Sequence, residues 1–209
     1  MAEMAKLIEN NLRDVNIGFA NELSLMCDSF KINIWELFKL ANRHPRVNIL
    51  LPSPDVGVRF IAVDPWFIVS SAPDEARLIR PARATNNSKP EWVLERVHAA
   101  IGSLFAANPQ KTAAEVALAA YGLACQPDID DLRESPALAV VLKLCSAHPG
   151  SLMAVEPFIN SLPSSLSQAS LVTCAQVTQT DINVLLIDHT AFKNAAVPTG
   201  RKIDCRGEW

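Results

Sequence analysis

No stretch of this 209-residue chain is long and apolar enough to span a bilayer. Its first residues, Met-Ala-Glu-Met-Ala-Lys, lead into an amphipathic pattern and not into the apolar core of a secretory leader. A basic surplus is also missing: the formal net charge is -3 and the pI about 5.8, so neither nucleic acid nor a membrane is expected as a partner. The five cysteines, Cys27, Cys125, Cys145, Cys174 and Cys205, are odd in number, widely spread and without a C-x-x-C pair. The histidines, His44, His98, His148 and His189, form no HExxH-like pair. These absences leave a soluble, cytoplasmic protein with reduced thiols and no structural metal as the expectation, with each histidine at the surface or in a loop.

What is present begins with a strong helical period. Met4, Ile8, Leu12, Val15, Phe19, Leu23, Met26 and Phe30 recur in steps of four and three, one face of a single long helix. At 1.5 Å per residue it reaches roughly 40 Å, a length suited to a strut or an oligomer seam. Asn33 with Glu36 three residues later reads as a capping box opening a short helix from Ile34 to about Asn42. Pro45, Pro52 and Pro54 make Arg46 to Gly57 an extended loop, which runs into the buried-looking segment Phe60-Ile61-Ala62-Val63. Further helices are predicted at about Pro73 to Asn86, kinked at Pro81, and at Pro90 to Phe105.

Past the polar stretch Asn108 to Thr112 the pattern changes. Strands are predicted at Val116 to Tyr121, Leu152 to Val155, Leu171 to Thr173, Val184 to Asp188 and Lys202 to Cys205. Between them fall a helix from Ser135-Pro136 to about Ala147, closed by Gly150, and a short helix over Ala175 to Thr180. Strands alternating with helices imply a parallel, doubly wound sheet whose ligands bind beyond the carboxyl ends of the strands. The boundary falls between Phe105 and Thr112, giving domains 1–107 and 108–209.

Several motifs, in order, resemble one known family. Lys6-Leu7-Ile8-Glu9-Asn10, Arg13-Asp14-Val15-Asn16-Ile17 and Phe19-Ala20-Asn21-Glu22-Leu23 look like the opening of a central domain. Ala41-Asn42-Arg43-His44-Pro45-Arg46-Val47-Asn48-Ile49-Leu50 follows. Tyr121-Gly122-Leu123-Ala124-Cys125-Gln126-Pro127-Asp128-Ile129-Asp130-Asp131-Leu132-Arg133-Glu134-Ser135-Pro136 matches G-L-A-F-K-P-x-x-D-D-x-R-E-S-P, and Asp204-Cys205-Arg206-Gly207 resembles a terminal D-x-R motif. Together they resemble the UDP-glucose/GDP-mannose dehydrogenase family. Val63 to Val69 and the closing Arg206-Gly207-Glu208-Trp209 look most like the branch acting on UDP-N-acetyl-D-mannosamine.

The resemblance implies an α/β protein: an all-helical central dimerisation region built on the long helix, then a Rossmann-like parallel-sheet UDP-binding domain. It implies a two-step, NAD-dependent oxidation of the sugar's C6 alcohol through a cysteine thioester, in the service of surface polysaccharide synthesis. Lysine, asparagine and aspartate stabilise the oxyanion and place the hydrolytic water. Lys6, Asn10 and Asp64 match those three, Arg46 the arginine lent to a neighbouring subunit's site, and Arg206 a diphosphate contact. Taken by spacing alone, Lys6 and Asn10 are either a solvated helix pair or a convergent one; the surrounding resemblance favours the second. Asp130-Asp131 reads as a solvated turn or a metal-like pair, and the lack of further acidic ligands favours the turn.

The departures matter as much. In Pro52-Ser53-Pro54-Asp55-Val56-Gly57-Val58-Arg59-Phe60-Ile61-Ala62-Val63-Asp64-Pro65 the family has P-x-P-G-V-G-G-H-C-I-x-x-D-P, so Phe60 stands at the nucleophile and Asp55 and Val58 replace glycines. Phenylalanine has no lone pair with which to attack an aldehyde, and valine resists the conformations glycine permits. Cys125 and Gln126 replace an aromatic and a lysine. No strand is followed by G-x-G-x-x-G, so the N-terminal NAD domain is expected to be absent and no NAD to bind this chain alone. Two readings follow: a truncated dehydrogenase-like chain, inactive alone, or a non-catalytic module that binds a UDP-sugar and pairs as a homodimer or with a full-length homologue.

Overall fold

The computed structural model describes residues 2–54, 63–177 and 179–209. The chain divides into two compact units, Met1–Lys89 and Pro90–Trp209.

The first unit is helical: α1 spans Ala2–Phe30, α2 Ile34–Ala41 and α3 Asp64–Ser71, and α4, Ile79–Ala107, begins here. The predicted period of α1 is present, yet its apolar stripe faces outward. Ile8, Leu12, Phe19 and Phe30 are 57%, 69%, 52% and 65% exposed, while Asn10, Asn11, Asp14, Asn21 and Ser24 are buried. Against that inward face, Gly18 lets α4 approach closely: a Cβ there would sit 3.0 Å from the Ala82 Cβ. The helix stops where Lys31 turns to φ 57 and the Ile32 N–H reaches back to the Cys27 carbonyl at 2.9 Å, a Schellman closure with lysine at the usual glycine position. Asn33 caps α2 as expected, accepting from the N–H groups of Trp35 (3.0 Å) and Glu36 (3.4 Å).

This region holds one helix that was not predicted and one expectation that needs correction. Asp64-Pro65 opens a helix, because proline is pre-organised for the first turn and an acid there suits the helix dipole. The two separate helices are instead one, α4, running through Pro90. Pro81 lies in its first turn, where a missing N–H costs nothing. At Pro90 one backbone bond is lost, but Arg83, Asn86 and Lys89 just before it are anchored on α1.

The second unit holds the rest of α4, then β1 (Leu118–Tyr121), α5 (Pro136–Ala147), β2 (Leu152–Val155), β3 (Ser170–Val172), β4 (Ile182–Leu185), α6 (Thr190–Lys193) and β5 (Arg201–Asp204). The strands are all parallel in the order β3-β2-β1-β4-β5, with Ala120 beside Ala154 on one side and Val184 on the other. Central strands β1 and β4 are buried along their whole length, as expected of a sheet covered on both faces. One face packs Leu118, Ala120, Val140, Leu144, Ile182 and Val184 with Val93 and Val97 of α4; the other gathers Tyr121, Val155, Leu185 and Phe192.

Ser135 caps α5 by accepting from the Leu138 N–H, and the helix ends at Ala147, with His148 as its C-cap. Gly150 therefore does not close it. Glycine is required there by space, since a Cβ would lie 2.2 Å from the Val116 carbonyl oxygen. The helix predicted over Ala175 to Thr180 is a single 3-10 turn, Cys174–Gln176, and the strand predicted from Val184 begins at Ile182 and ends at Leu185. His189 lies in a loop, as expected, and is fully buried there. None of the five cysteines is in a disulfide.

Candidate functional site

In the first unit two of the candidate residues, Asn10 and Asp64, meet on the inner face of α1. The Asn10 amide donates to the Asp64 carboxylate at 2.5 Å, joining the first turns of α3 to the third turn of α1. Lys6, one turn earlier, is turned to solvent and pairs with Glu9 at 3.2 Å. Arg46 lies exposed in the turn after α2, its backbone N–H donating to His44 Nδ1. Phe60, at the nucleophile position, lies outside the described residues, as do Asp55 and Val58.

The segment that leads to that position is held by asparagines. Asn42 accepts from the Ile49 N–H (2.8 Å) and donates to the Ile49 carbonyl (2.9 Å). Asn16 accepts from the Leu50 N–H and donates to the Asn48 carbonyl, both at 3.1 Å. Asn21, fully buried, accepts from the Ser53 N–H and donates to its carbonyl, both at 2.9 Å. A primary amide offers a donor and an acceptor side by side, the same pair a neighbouring strand would present. Three side chains thus replace a strand along residues 48–53.

Deeper in, Asp14 accepts from Arg83 Nη1 at 2.6 Å and from the Asn86 amide at 2.9 Å, and Asn86 accepts from Asn21 at 2.9 Å. The Asp14 Oδ2 oxygen is buried without a hydrogen-bond partner. Burial pushes the Asp14 carboxyl up by more than Arg83 and Asn86 pull it down. Lys89, also buried, donates to the Ser24 hydroxyl at 2.6 Å.

In the second unit the polar groups collect at the carboxyl ends of β1, β2, β4 and β5, where doubly wound folds bind ligands. Arg206 directs its Nε–H to Asp188 at 2.6 Å, and Lys193 bridges Glu208 at 2.9 Å. Asp204, ending β5, accepts from the backbone N–H groups of Arg206, Gly207 and Trp209. Gln126 is half-buried in the loop after β1. In that loop Asp131 pairs with Arg133 and its carbonyl accepts from the Cys125 N–H, so it serves the turn. A cavity of about 610 Å³ opens at the ends of β2 and β3, lined by Val155, Glu156, Pro157, Thr173, Cys174 and Gln176 among others.

Three of these residues escaped the sequence reading: Glu156, Asp188 and His189. Glu156 follows β2 directly, and Asp188 and His189 lie just past β4. An acid immediately beyond a buried parallel strand is the signal that marks such positions.

Known relatives agree with this architecture. Residues 1–88 match the UDP-glucose/GDP-mannose dehydrogenase family's central domain, and residues 119–207 its UDP binding domain. The chain belongs to the UDP-glucose/GDP-mannose dehydrogenase family. Over its full length it is 53% identical to the UDP-N-acetyl-D-mannosamine dehydrogenase of Yersinia pestis, covering 50% of that protein. It is 48% identical to the NDP-N-acetyl-D-galactosaminuronic acid dehydrogenase of Ralstonia solanacearum, covering 48% of it. Among solved structures, the UDP-N-acetyl-mannosamine dehydrogenase of S. aureus superposes with a TM-score of 0.77 at 35% identity, over 93% of this chain and 43% of that one. The UDP-D-ManNAc dehydrogenase of Pyrococcus horikoshii gives 0.79 at 31%, over 100% and 48%. The chain spans about half the length of the curated relatives it matches.

Proposed function

We propose that this chain is a nucleotide-sugar-binding and pairing member of the UDP-N-acetyl-D-mannosamine dehydrogenase branch that does not itself oxidise the sugar. In this reading residues 1–107 form the dimerisation and substrate domain, and residues 108–209 the UDP-binding domain. The observation that carries it is Phe60 at the nucleophile position of an otherwise matching motif, four residues before an Asp64 that still meets Asn10. A benzyl side chain forms neither thiohemiacetal nor thioester, so the oxidation has no covalent path. Asn10, Asp64 and Lys6 keep the polar half of the site; Arg46 is the residue offered to a partner; Arg206 holds the diphosphate. NAD supplies the hydride acceptor in the family. The turn after β1 in the second unit does not fit a dinucleotide's pyrophosphate, because Glu156 Oε2 already accepts from its Leu123 and Ala124 N–H groups.

The outward stripe of α1 supports pairing. Large apolar side chains exposed along one helix face are uncommon on monomers, and a stripe along a long helix suits a two-fold seam, with this chain or a homologue as the partner.

Calorimetry of the purified chain with UDP-N-acetylmannosamine tests the binding half. Weak binding is expected, tightened by Gln126→Lys because a charge-assisted hydrogen bond is roughly twice as strong as a neutral one. Arg206→Ala should abolish it. Sub-micromolar affinity, or indifference to Arg206→Ala, would contradict the assignment. Incubation with NAD and the same sugar should produce no NADH; turnover by the unmodified chain would sink the non-catalytic reading.

A further inference from the structure

The turn that follows β1 bends sharply. Gly122 takes φ 84, and a Cβ there would meet the Ile187 Cβ at 2.5 Å. The next two N–H groups, of Leu123 and Ala124, then point to one spot, and both residues are fully buried. In a dinucleotide-binding fold the corresponding N–H groups meet a pyrophosphate, with a helix beginning immediately behind them. Here α5 begins only at Pro136, and the spot is taken. Glu156 Oε2 accepts from the Leu123 N–H at 2.7 Å and from the Ala124 N–H at 3.1 Å.

The third donor to that oxygen is a histidine. His189 Nδ1 accepts from the Asp128 N–H at 2.9 Å, which puts the ring proton on Nε2, 3.0 Å from Glu156 Oε2. Asp128 is tied in turn to the Thr190 N–H (2.8 Å) and hydroxyl (2.6 Å). A neutral imidazole therefore donates to an ionised carboxylate, and three donors converge on one oxygen. Glu156 and His189 are 3% and 0% exposed. Dinucleotide folds place an acid beyond the second strand to bind a ribose hydroxyl. In this chain the acid beyond β2 is turned inward, onto the turn itself.

We propose that the turn after β1 is a carboxylate-binding cradle filled in cis by Glu156, and that this internal anion closes the second unit to the pyrophosphate of a dinucleotide. The nucleotide's phosphates are thereby left to the Arg206 side of the sheet. The cradle stands independently of the nucleotide-sugar reading, because its test uses neither sugar nor UDP. Glu156 also borders the cavity at the ends of β2 and β3, so shortening it opens the cradle to small anions from that side.

The test is chemical rescue of Glu156→Ala in the full chain. Its melting temperature should drop, and formate or acetate should restore it saturably, whereas chloride at equal ionic strength should not. The unmodified chain should show no such rise. Inorganic pyrophosphate should bind Glu156→Ala more tightly than the unmodified chain, with Arg206→Ala in both backgrounds to remove the other anion site. If Glu156→Ala does not fold, the amide resonances of Leu123 and Ala124 in the unmodified chain decide the matter. They should titrate together below the ordinary glutamate range, with His189 and Asp128 the other ionisable groups facing the site. Formate-insensitive melting of a folded Glu156→Ala, or amides that do not report an acid, would overturn the proposal.

Discussion

Arg83→Met gives the most demanding test of the buried polar face of α1. The guanidinium and the Asp14 carboxylate are 4% and 0% exposed, 2.6 Å apart, and Arg83 Nε also donates to Asn87 at 3.1 Å. Methionine fills much of the same volume but removes the bonds to Asp14 and Asn87 and strands a carboxylate that already has one oxygen without a partner. A charged hydrogen bond contributes about 1.5–3 kcal/mol, and breaking a buried pair from one side costs about 3–5 kcal/mol. We expect a loss in that upper range by denaturant unfolding near neutral pH, followed through Trp35 and Trp66, the tryptophans of the first unit. The loss should depend on pH in a fixed direction. Burial holds the folded pKa of Asp14 above its unfolded value, so the folded state binds the proton more tightly. The charged carboxylate is thus a penalty fully present above the folded pKa, relieved as pH falls through it toward the ordinary carboxylate range. Removing Arg83 raises that pKa further, and each unit is worth about 1.4 kcal/mol. Arg83→Met should therefore lose less at about pH 5 than at about pH 7, and Asp14→Leu with Arg83→Met should be less destabilised than Arg83→Met alone. A loss below about 1 kcal/mol, or one independent of pH, would refute the view that this pair balances a buried charge.

Ile8→Glu with Phe19→Glu should convert a dimer to a monomer in light scattering with the helical circular dichroism unchanged; a stable monomer from the unmodified chain at micromolar concentration would remove the basis for the seam. Asn10→Asp sets two carboxylates in hydrogen-bonding range, so it should destabilise the first unit near neutral pH and recover in acid, and equal stability at both pH values would show that the contact does not form in solution. Tyr121 is the chain's one tyrosine, and burial, with Cys174 nearby, pushes its phenol up to about 12. An ultraviolet titration should find no phenolate until well above the ordinary tyrosine range. Stability should fall as pH rises from about 10 toward that value, because only the unfolded chain loses the proton there; a midpoint near 10 in the folded protein would contradict the packing of Phe192 and Trp209 against the ring.

Much of this architecture was legible because the signals are local. The four-and-three steps from Met4 to Phe30 establish a helix, Asn33 and Ser135-Pro136 mark helix starts, and short apolar runs separated by helical stretches announce a parallel sheet. What a period cannot reveal is which way a face points. The stripe of α1 suits an oligomer seam, but nothing in the period says that the polar side goes inward, which it does because Asp14, Asn21 and Ser24 find Arg83, Asn86 and Lys89 more than sixty residues away. The same distance hid the continuity of α4 through Pro90, whose lost backbone bond is offset by those side chains. The family motif put Lys6, Asn10 and Asp64 together, of which Asn10 meets Asp64 while Lys6 pairs with Glu9, but Glu156 and His189 lie 33 residues apart with no motif joining them, and only the sheet brings them together.

The asparagine supports of residues 48–53 bear on how this stretch tolerates change. Asn16, Asn21 and Asn42 grip peptide groups and ignore the side chains attached to them, so the identity of residues 49, 50 and 53 is nearly free as far as the grip is concerned. Each of those positions must keep its N–H, which excludes proline alone. The prolines that do occur, Pro52 and Pro54, stand where no asparagine asks for a proton. Drift in this segment is therefore policed from α1 and α2, and a single exchange of one of three asparagines would do more harm than several along the loop they hold.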